Sequence, residues 1–332
     1  MTIHAPVAAP AARRLLVTGA DGFLGCSLVA ALASAGLEKL VAADVREVPA
    51  NRRLPGVEYR LLDVRDPALA DAFAGIDTVV HLASIVTPGR DSSRALEYAV
   101  DVEGSRNVLQ ACLRHGVRHL VVSSSGAAYG YHADNPAWIT EDCPLRGNEA
   151  FAYAHHKRLV EEMMAEARVR HPALRQTVLR IGTILGERVD NQITALFEKP
   201  RLLAVRGHAS PFVFVWDEDV VGAIRHTIGG RGLPGCWNLA GDGALTMAQI
   251  AARLNKPVLA LPAALLKAGL AAGHALGLTR YGPAQLDFLR YRPVLDNTAL
   301  KSRFGYVPVR TSAQAFEGLV ASRAARGNPL ER

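Results

Sequence analysis

The sequence predicts an α/β fold, a doubly wound parallel sheet followed by a smaller C-terminal lobe. Three observations carry this. From Arg13 onward, short apolar runs alternate with helical patterns. The runs are continuously apolar, as strands covered on both faces by helices must be. After about Ile181 the alternation gives way to shorter elements and loops rich in Pro, Gly and Arg, which is the character of segments at the carboxyl side of a parallel sheet.

Taken in order, RLLVTG, KLVAADV, EYRLLDV, DTVVHLAS, RHLVVSSS and QTVLRIG are the strand candidates, each short, apolar and rich in β-formers. Residues 23 to 35, 67 to 74, 92 to 115 and 151 to 170 carry helical spacing or composition, with Gly36 and Gly116 where helix stops belong. Residues 1–12 read as an Ala/Pro leader. Residues 13–182 read as the main domain, with return elements around 212–240, and 183–211 with 241–332 form the second lobe.

Composition narrows the classes. Of 332 residues, 49% are hydrophobic and 21% charged, which is globular usage. The net charge of +7 is spread along the chain, without a run of five basic residues or basic-aromatic alternation, so no nucleic-acid partner is expected. Cys26, Cys112, Cys143 and Cys236 are far apart and form no C-x-x-C pair. Neither a zinc site nor a disulfide framework is indicated, and a reducing cytoplasm fits. The tract VLALPAALLKAGLAAGHALGL, residues 258–278, has the length of a span but carries Pro262, Lys267 and His274. A central lysine costs about 2.5–3.5 kcal/mol on insertion, so a helix of the soluble fold and no membrane partner are expected.

The first strand runs into TGADGFLG, residues 18–25, and then into a helical pattern. Gly19, Gly22 and Gly25 have the spacing in which one glycine permits the turn, one lets backbone N–H groups approach a diphosphate, and one lets helix pack on strand. The helix N-terminus then faces the anion. Candidate cofactor contacts are Gly19, Asp21, Gly22, Phe23, Leu24 and Gly25. Asp44 closes the second strand about 20 residues on, where a carboxylate accepts from both ribose hydroxyls and repels a 2′-phosphate. NAD is therefore expected over NADP, with Arg46 leaving an opening for the phosphorylated form. Asp63, after the third strand, is placed to reach the adenine amino group.

Tyr153 and Lys157, in YAHHK, are four residues apart and share one face of a helix. A nearby ammonium favours tyrosinate and brings a phenol of ordinary pKa ~10 towards use as a general base. TGADGFLG, Asp44, DV at 63–64, HLAS at 81–84, VVSSSGAAYG at 121–130 and YAHHK at 153–157 together resemble the extended short-chain dehydrogenases/reductases of the NAD-dependent epimerase/dehydratase group. LRIGTILG, FVFVWDEDVVGAI, CWNLAG with LTMAQIA, and RFGYVP carry the resemblance to about residue 318.

The resemblance implies a Rossmann sheet, bound NAD, a substrate lobe and a catalytic triad. Tyr153 exchanges the hydroxyl proton, Lys157 lowers its pKa and holds the nicotinamide ribose, and Ser125 bonds the substrate oxygen. Ser125 is chosen because it lies four residues before Tyr129-Gly130. Cofactor contacts are also implied at Arg46, Asp63, Val64, Leu82, Ala83, Ser84, Ser123 and Ile181, and at Asp101, where the family usually has asparagine. A homodimer through the helices around 95–115 and 152–170 is implied as well.

Departures from the family pattern bear on the reaction. Dehydratases carry two carboxylates after the catalytic hydroxyl, where this chain has Gly126 and Ala127, so sugar dehydration is not expected. Phe212 stands where nucleotide-sugar members usually have an arginine, and Thr183 where they have asparagine. Both weaken the nucleotide-sugar case, and an apolar lid from residues 261–278 would suit a less polar substrate. His155 and His156, about 100° apart on a helix, do not form a metal pair; one is expected exposed and the other at the cleft rim. Arg188, Arg206, His208 and Trp216 are pocket candidates. The expected chemistry is reversible hydride transfer between a secondary alcohol of a sugar-like or apolar small molecule and NAD, by a dehydrogenase or reductase. The alternatives are an epimerase with a transient ketone and a non-catalytic NAD sensor.

Overall fold

The computed structural model describes residues 11–89, 92–277, 282–327 and 330. Seven strands, β1 (Arg14–Thr18), β2 (Lys39–Asp44), β3 (Glu58–Leu61), β4 (Thr78–His81), β5 (His119–Ser125), β6 (Arg175–Ile181) and the later β10 (Gly235–Leu239), form one sheet. Its order is β10-β6-β5-β4-β1-β2-β3, and every pairing is parallel. The doubly wound sheet expected from the sequence is therefore present. Strand order reverses between β1 and β4, which opens a crevice above their carboxyl ends.

Helices cover both faces. On one side α3 (Gly104–Arg114) and α4 (Ala152–Arg170) bury Val108, Cys112, Val160 and Met164 against Leu16, Val79 and Leu120. On the other, α1 (Phe23–Leu32) and α6 (Asp217–Ile228) bury Leu28, Leu32, Val220 and Ile224 against Leu15, Val17 and Val121. Adjacent residues of one strand thus enter opposite cores, the consequence of a two-residue repeat, and this is why the strands read as unbroken apolar runs.

Two expected helices differ in detail. Residues 67–74 form a 3₁₀ helix, Pro67–Phe73, whose first turn Asp66 caps by accepting from the Ala68 N–H. Residues 92–115 form α2 (Arg94–Tyr98) and α3 joined by a π-turn, Ala99–Glu103, which buries Asp101 and Val102.

Outside that sheet lie β7 (Thr183–Leu185), α5 (Gln192–Glu198), β8 (Leu202–Val205), β9 (Phe214–Trp216), α7 (Met247–Arg253), β11 (Val258–Leu261), α8 (Ala263–Ala275), α9 (Gln285–Arg290) and α10 (Ser312–Ala325), where a separate apolar core forms. Phe197 is its hub, with Phe212, Phe214 and Phe316 rings at 5.6, 6.1 and 5.3 Å. The tract 258–278 divides at Pro262 into β11 and α8, and no helix among the described residues is long and apolar enough to cross a membrane.

Candidate active site

The glycine loop is built by steric necessity. Gly19 has φ +70°, and a Cβ there would sit 2.7 Å from the Ala83 nitrogen. A Cβ on Gly25 would run into the Gly19 carbonyl oxygen. Gly22 caps α1 without a side-chain partner, and no acidic residue occupies the first turn. The N–H groups at this end, Phe23 and Leu24 among them, are left for an anion.

Asp44, at the end of β2, accepts from the Asp21 N–H at 2.9 Å and the Arg46 N–H at 3.0 Å, which fixes its carboxylate beside the loop. Arg46 and Arg52 reach Asp21 at 3.5 and 2.9 Å, so Arg46 is engaged by carboxylates. A diphosphate above Gly22 and a ribose diol at Asp44 fit this donor and acceptor set. Asp63 is held by Arg65, whose bonds keep its carboxyl below the usual range. Val64 packs in the core against Gly104 and gives its carbonyl to Asn107 at 2.9 Å.

At the end of β4, His81 is buried between Thr18 Oγ1 at 2.7 Å and Ser105 Oγ at 3.0 Å. Burial, with help from Lys157, pushes its pKa down to about 3. The imidazole is therefore a neutral clamp between β1, β4 and α3. Leu82 donates its N–H to the Thr18 carbonyl at 3.1 Å, which carries Ala83 and Ser84 over the glycine loop. Ile181 ends β6 in the core.

Ser125 is the last residue of β5, and its hydroxyl accepts from the Ala127 N–H at 3.1 Å. Ser123 offers its carbonyl to Lys157 Nζ at 2.9 Å, and Ser124 is buried against Glu161. Lys157 Nζ lies 5.6 Å from the Tyr153 ring centre. Burial lowers the Lys157 pKa, with Asp101 and Glu161 opposing. Burial pushes the Tyr153 phenol up to about 12; Ser125 pulls it down and Asp101 adds to the rise. The lowering expected from the ammonium is not seen: desolvation dominates, and the opposing pull comes from Ser125.

Asp101 accepts from Ser84 Oγ and the Ile85 N–H, both at 2.9 Å, and lies 3.0 Å from His156 Nδ1. Burial acts to raise its pKa, but the His156 bond, the Lys157 charge and the bonds from Ile85 and Ser84 hold it below the usual value. The aspartate standing at the asparagine position therefore has a buried partner. His156 is neither exposed nor at the rim, because α4 turns it inward onto Asp101, while the half-buried His155 lies 3.2 Å from Arg158.

A second buried set braces α4 from behind. Arg180 bonds Glu161 at 2.8 Å and the Tyr129 hydroxyl at 2.7 Å, and Tyr129 donates to Asn238 at 2.8 Å. Gly126 faces Leu295, whose methyls would lie 3.1–3.2 Å from a Cβ there, and Ala127 is buried. The positions of the dehydratase carboxylates are thus packed with hydrocarbon.

A cavity of about 900 Å³ opens over Tyr153, lined by Tyr131, Phe151 and Glu97 on one side and by His274 and Gln285 of the second lobe on the other. Tyr131 stacks edgewise on Phe288 at 5.3 Å, and the Arg292 guanidinium lies over Phe288 at 5.0 Å and over Phe212 at 3.8 Å. Arg292 donates to the Ser210 carbonyl and hydroxyl at 2.8 and 2.9 Å. Its Nε has no partner, and no ion pair with it occurs among the described residues. Burial lowers its pKa to about 9. A guanidinium thus lies over Phe212, supplied from 80 residues downstream. Trp216 is core beneath Arg310 at 4.1 Å, not pocket lining. His208 accepts from Arg290 at 3.0 Å, while Arg188 and Arg206 are exposed. Among the described residues no cluster could hold a metal ion.

The sequence model of the NAD dependent epimerase/dehydratase family matches residues 15–219. An uncharacterized protein of Mycobacterium tuberculosis is 28% identical over 319 residues, 93% of this chain and 84% of that one. The N-acetyl-alpha-D-glucosaminyl-diphospho-ditrans,octacis-undecaprenol 4-epimerase of Escherichia coli O157:H7 is 36% identical over 179 residues, 52% of this chain and 50% of its own. Among solved structures, the Bordetella bronchiseptica enzyme WbmG in complex with NAD and UDP superposes with a TM-score of 0.72 at 19% identity, covering 97% of this chain and 96% of that one.

Proposed function

We propose that this chain, which belongs to the NAD-dependent epimerase/dehydratase family, carries out reversible hydride transfer at a secondary alcohol of a sugar-like small molecule bearing an anionic group. It is an NAD-dependent enzyme. Bound NAD supplies the hydride acceptor. Gly19, Gly22 and the first N–H groups of α1 hold its diphosphate, Asp44 its adenosine ribose, and Lys157 its nicotinamide ribose.

In this reading Ser125 orients the substrate hydroxyl and Tyr153 takes its proton as the hydride leaves. Lys157, fixed by Ser123, places positive charge beside the phenol when the proton departs. Asp101 and His156 hold the segment 84–85 against α4 and keep the cleft floor in register. Arg292 receives the anionic group of the substrate, where low dielectric strengthens the pairing. The observation that supports the reading most is the meeting of Ser125, Tyr153 and Lys157 at the carboxyl edge of the sheet, with Tyr153 lining the cavity. The packing of Leu295 on Gly126 speaks against elimination.

A second reading, epimerisation through a ketone kept in the site, is favoured by the relative named as a sugar 4-epimerase. Incubation with NAD and a panel of nucleotide-linked and phosphorylated sugars separates the two. Stoichiometric NADH marks a dehydrogenase, and an inverted product without net NADH marks an epimerase. Binding of NAD with neither outcome across the panel would contradict both.

A further inference from the structure

Helix α8 is built of Ala, Leu and Gly with one lysine and one histidine, yet none of its residues is buried. Leu265 is 58% exposed, and Leu276 at its C-cap is 72% exposed. Before Pro262, β11 presents Val258 and Leu259, and Leu259 pairs in register with Leu203 of β8, also exposed. Single exposed leucines are ordinary; a connected run from β8 through β11 to the end of α8 marks an interaction surface.

The charges carried by the stretches that form it have one sign. The sequence holds no Asp or Glu between Glu198 and Asp217, nor between Asp242 and Asp287. Within those stretches Lys199, Arg201, Arg206 and Lys267 are exposed, and the Arg206 N–H bonds the Leu261 carbonyl at 2.9 Å, beside the start of α8. The bordering carboxylates are engaged elsewhere, Glu198 with Arg323 at 3.3 Å and Asp287 with Arg290 at 3.8 Å.

We propose that the β11–α8 face docks on an anionic lipid surface, with α8 lying in the plane of the interface. Thirteen residues make about 20 Å of helix, too short for a hydrocarbon core of about 30 Å. Leucines that enter the acyl boundary and lysine or arginine that meets anionic headgroups are the two requirements of such a helix. A second copy of the chain is the poorer partner, because a two-fold contact would bring a face with exposed Lys199, Arg201, Arg206 and Lys267 against itself. The face also borders the catalytic cavity, which His274 of α8 lines. The expectation of no membrane partner rests on whether the tract could span, which is a separate question from docking on a surface. Exposure of an apolar helix depends on the neighbours that the fold gives it.

The test is sedimentation of the full chain with vesicles of phosphatidylcholine alone and with phosphatidylglycerol added. Binding is expected to the anionic vesicles, less to the neutral ones, and to fall with salt. The double variant Leu265→Asp, Leu276→Asp is expected to lose at least about tenfold in binding, and Lys267→Glu to weaken it in the same direction. Both keep the melting temperature and NAD affinity, since the altered side chains are exposed. No binding by the unaltered chain would overturn the proposal, as would equal binding by the double variant. So would a dimer seen by light scattering that the double variant dissociates, or vesicle binding that requires removal of residues 1–10.

Discussion

In the proposed reading Arg292 receives the anionic group of the substrate, and its replacement by methionine gives opposite readings for a structural and a ligand-binding arginine. The fall in its pKa from 12.5 to about 9 by burial corresponds to about 5 kcal/mol against the charged form in the fold. The two bonds to Ser210 return about 1.5–3 kcal/mol each, and the stacking on Phe212 and Phe288 about 2 kcal/mol. The terms cancel to within a few kcal/mol. Methionine keeps the stem packing and discards both sides of the balance, so the melting temperature is expected to move by no more than about 5 °C. A substrate anion, by contrast, loses a buried charged contact of about 2–5 kcal/mol, which raises KM by about 30-fold or more. Scanning calorimetry and steady-state kinetics on one preparation read both. A large loss of melting temperature with KM unchanged would refute the reasoning.

Asp101→Asn keeps an acceptor for Ser84 and Ile85 while removing the charge that raises the Tyr153 phenol. The acid limb of the pH–rate profile for alcohol oxidation is expected to move to lower pH, and a shift to higher pH would contradict the assignment. Stability in acid should carry the signature of His81. Its pKa is depressed in the fold to about 3, so below its ordinary 6.5 the unfolded chain binds a proton that the native chain does not. Stability is then lost as pH falls, by about 1.4 kcal/mol per unit until the native group titrates. Urea unfolding between pH 7 and 4 is expected to give a shallower slope for His81→Asn, and an unchanged slope would assign the loss to other groups.

What was readable in the sequence was local. The glycine loop is read from a strand, three spaced glycines and a helix within a dozen residues; the crowding at Gly25 is local to that loop, whereas the crowding at Gly19 comes from Leu82 and Ala83 after β4. Tyr153 and Lys157 were readable because four residues return to one helix face. The partners that shape their chemistry were not. His156 meets Asp101 across 55 residues, Arg180 of β6 reaches Glu161 of α4 and Tyr129 after β5, and Arg292 covers Phe212 from 80 residues downstream. Such contacts are set by how layers pack. Phe212, read by itself, shows no sign of the guanidinium that lies over it, and Trp216 read as pocket although β9 turns it into the lobe core. The π-turn at residues 99–103 left no mark in composition, yet it is what turns Asp101 inward.

The central claim is that the Tyr153 hydroxyl exchanges the substrate proton as hydride moves to NAD. Tyr153→Phe removes that oxygen and leaves Lys157, Ser125 and the glycine loop in place. Single-turnover NADH formation with saturating substrate measures it most directly. The account predicts a fall of at least about a hundredfold in rate with NAD affinity held within about threefold of the unaltered chain. Full turnover in the phenylalanine variant would contradict it.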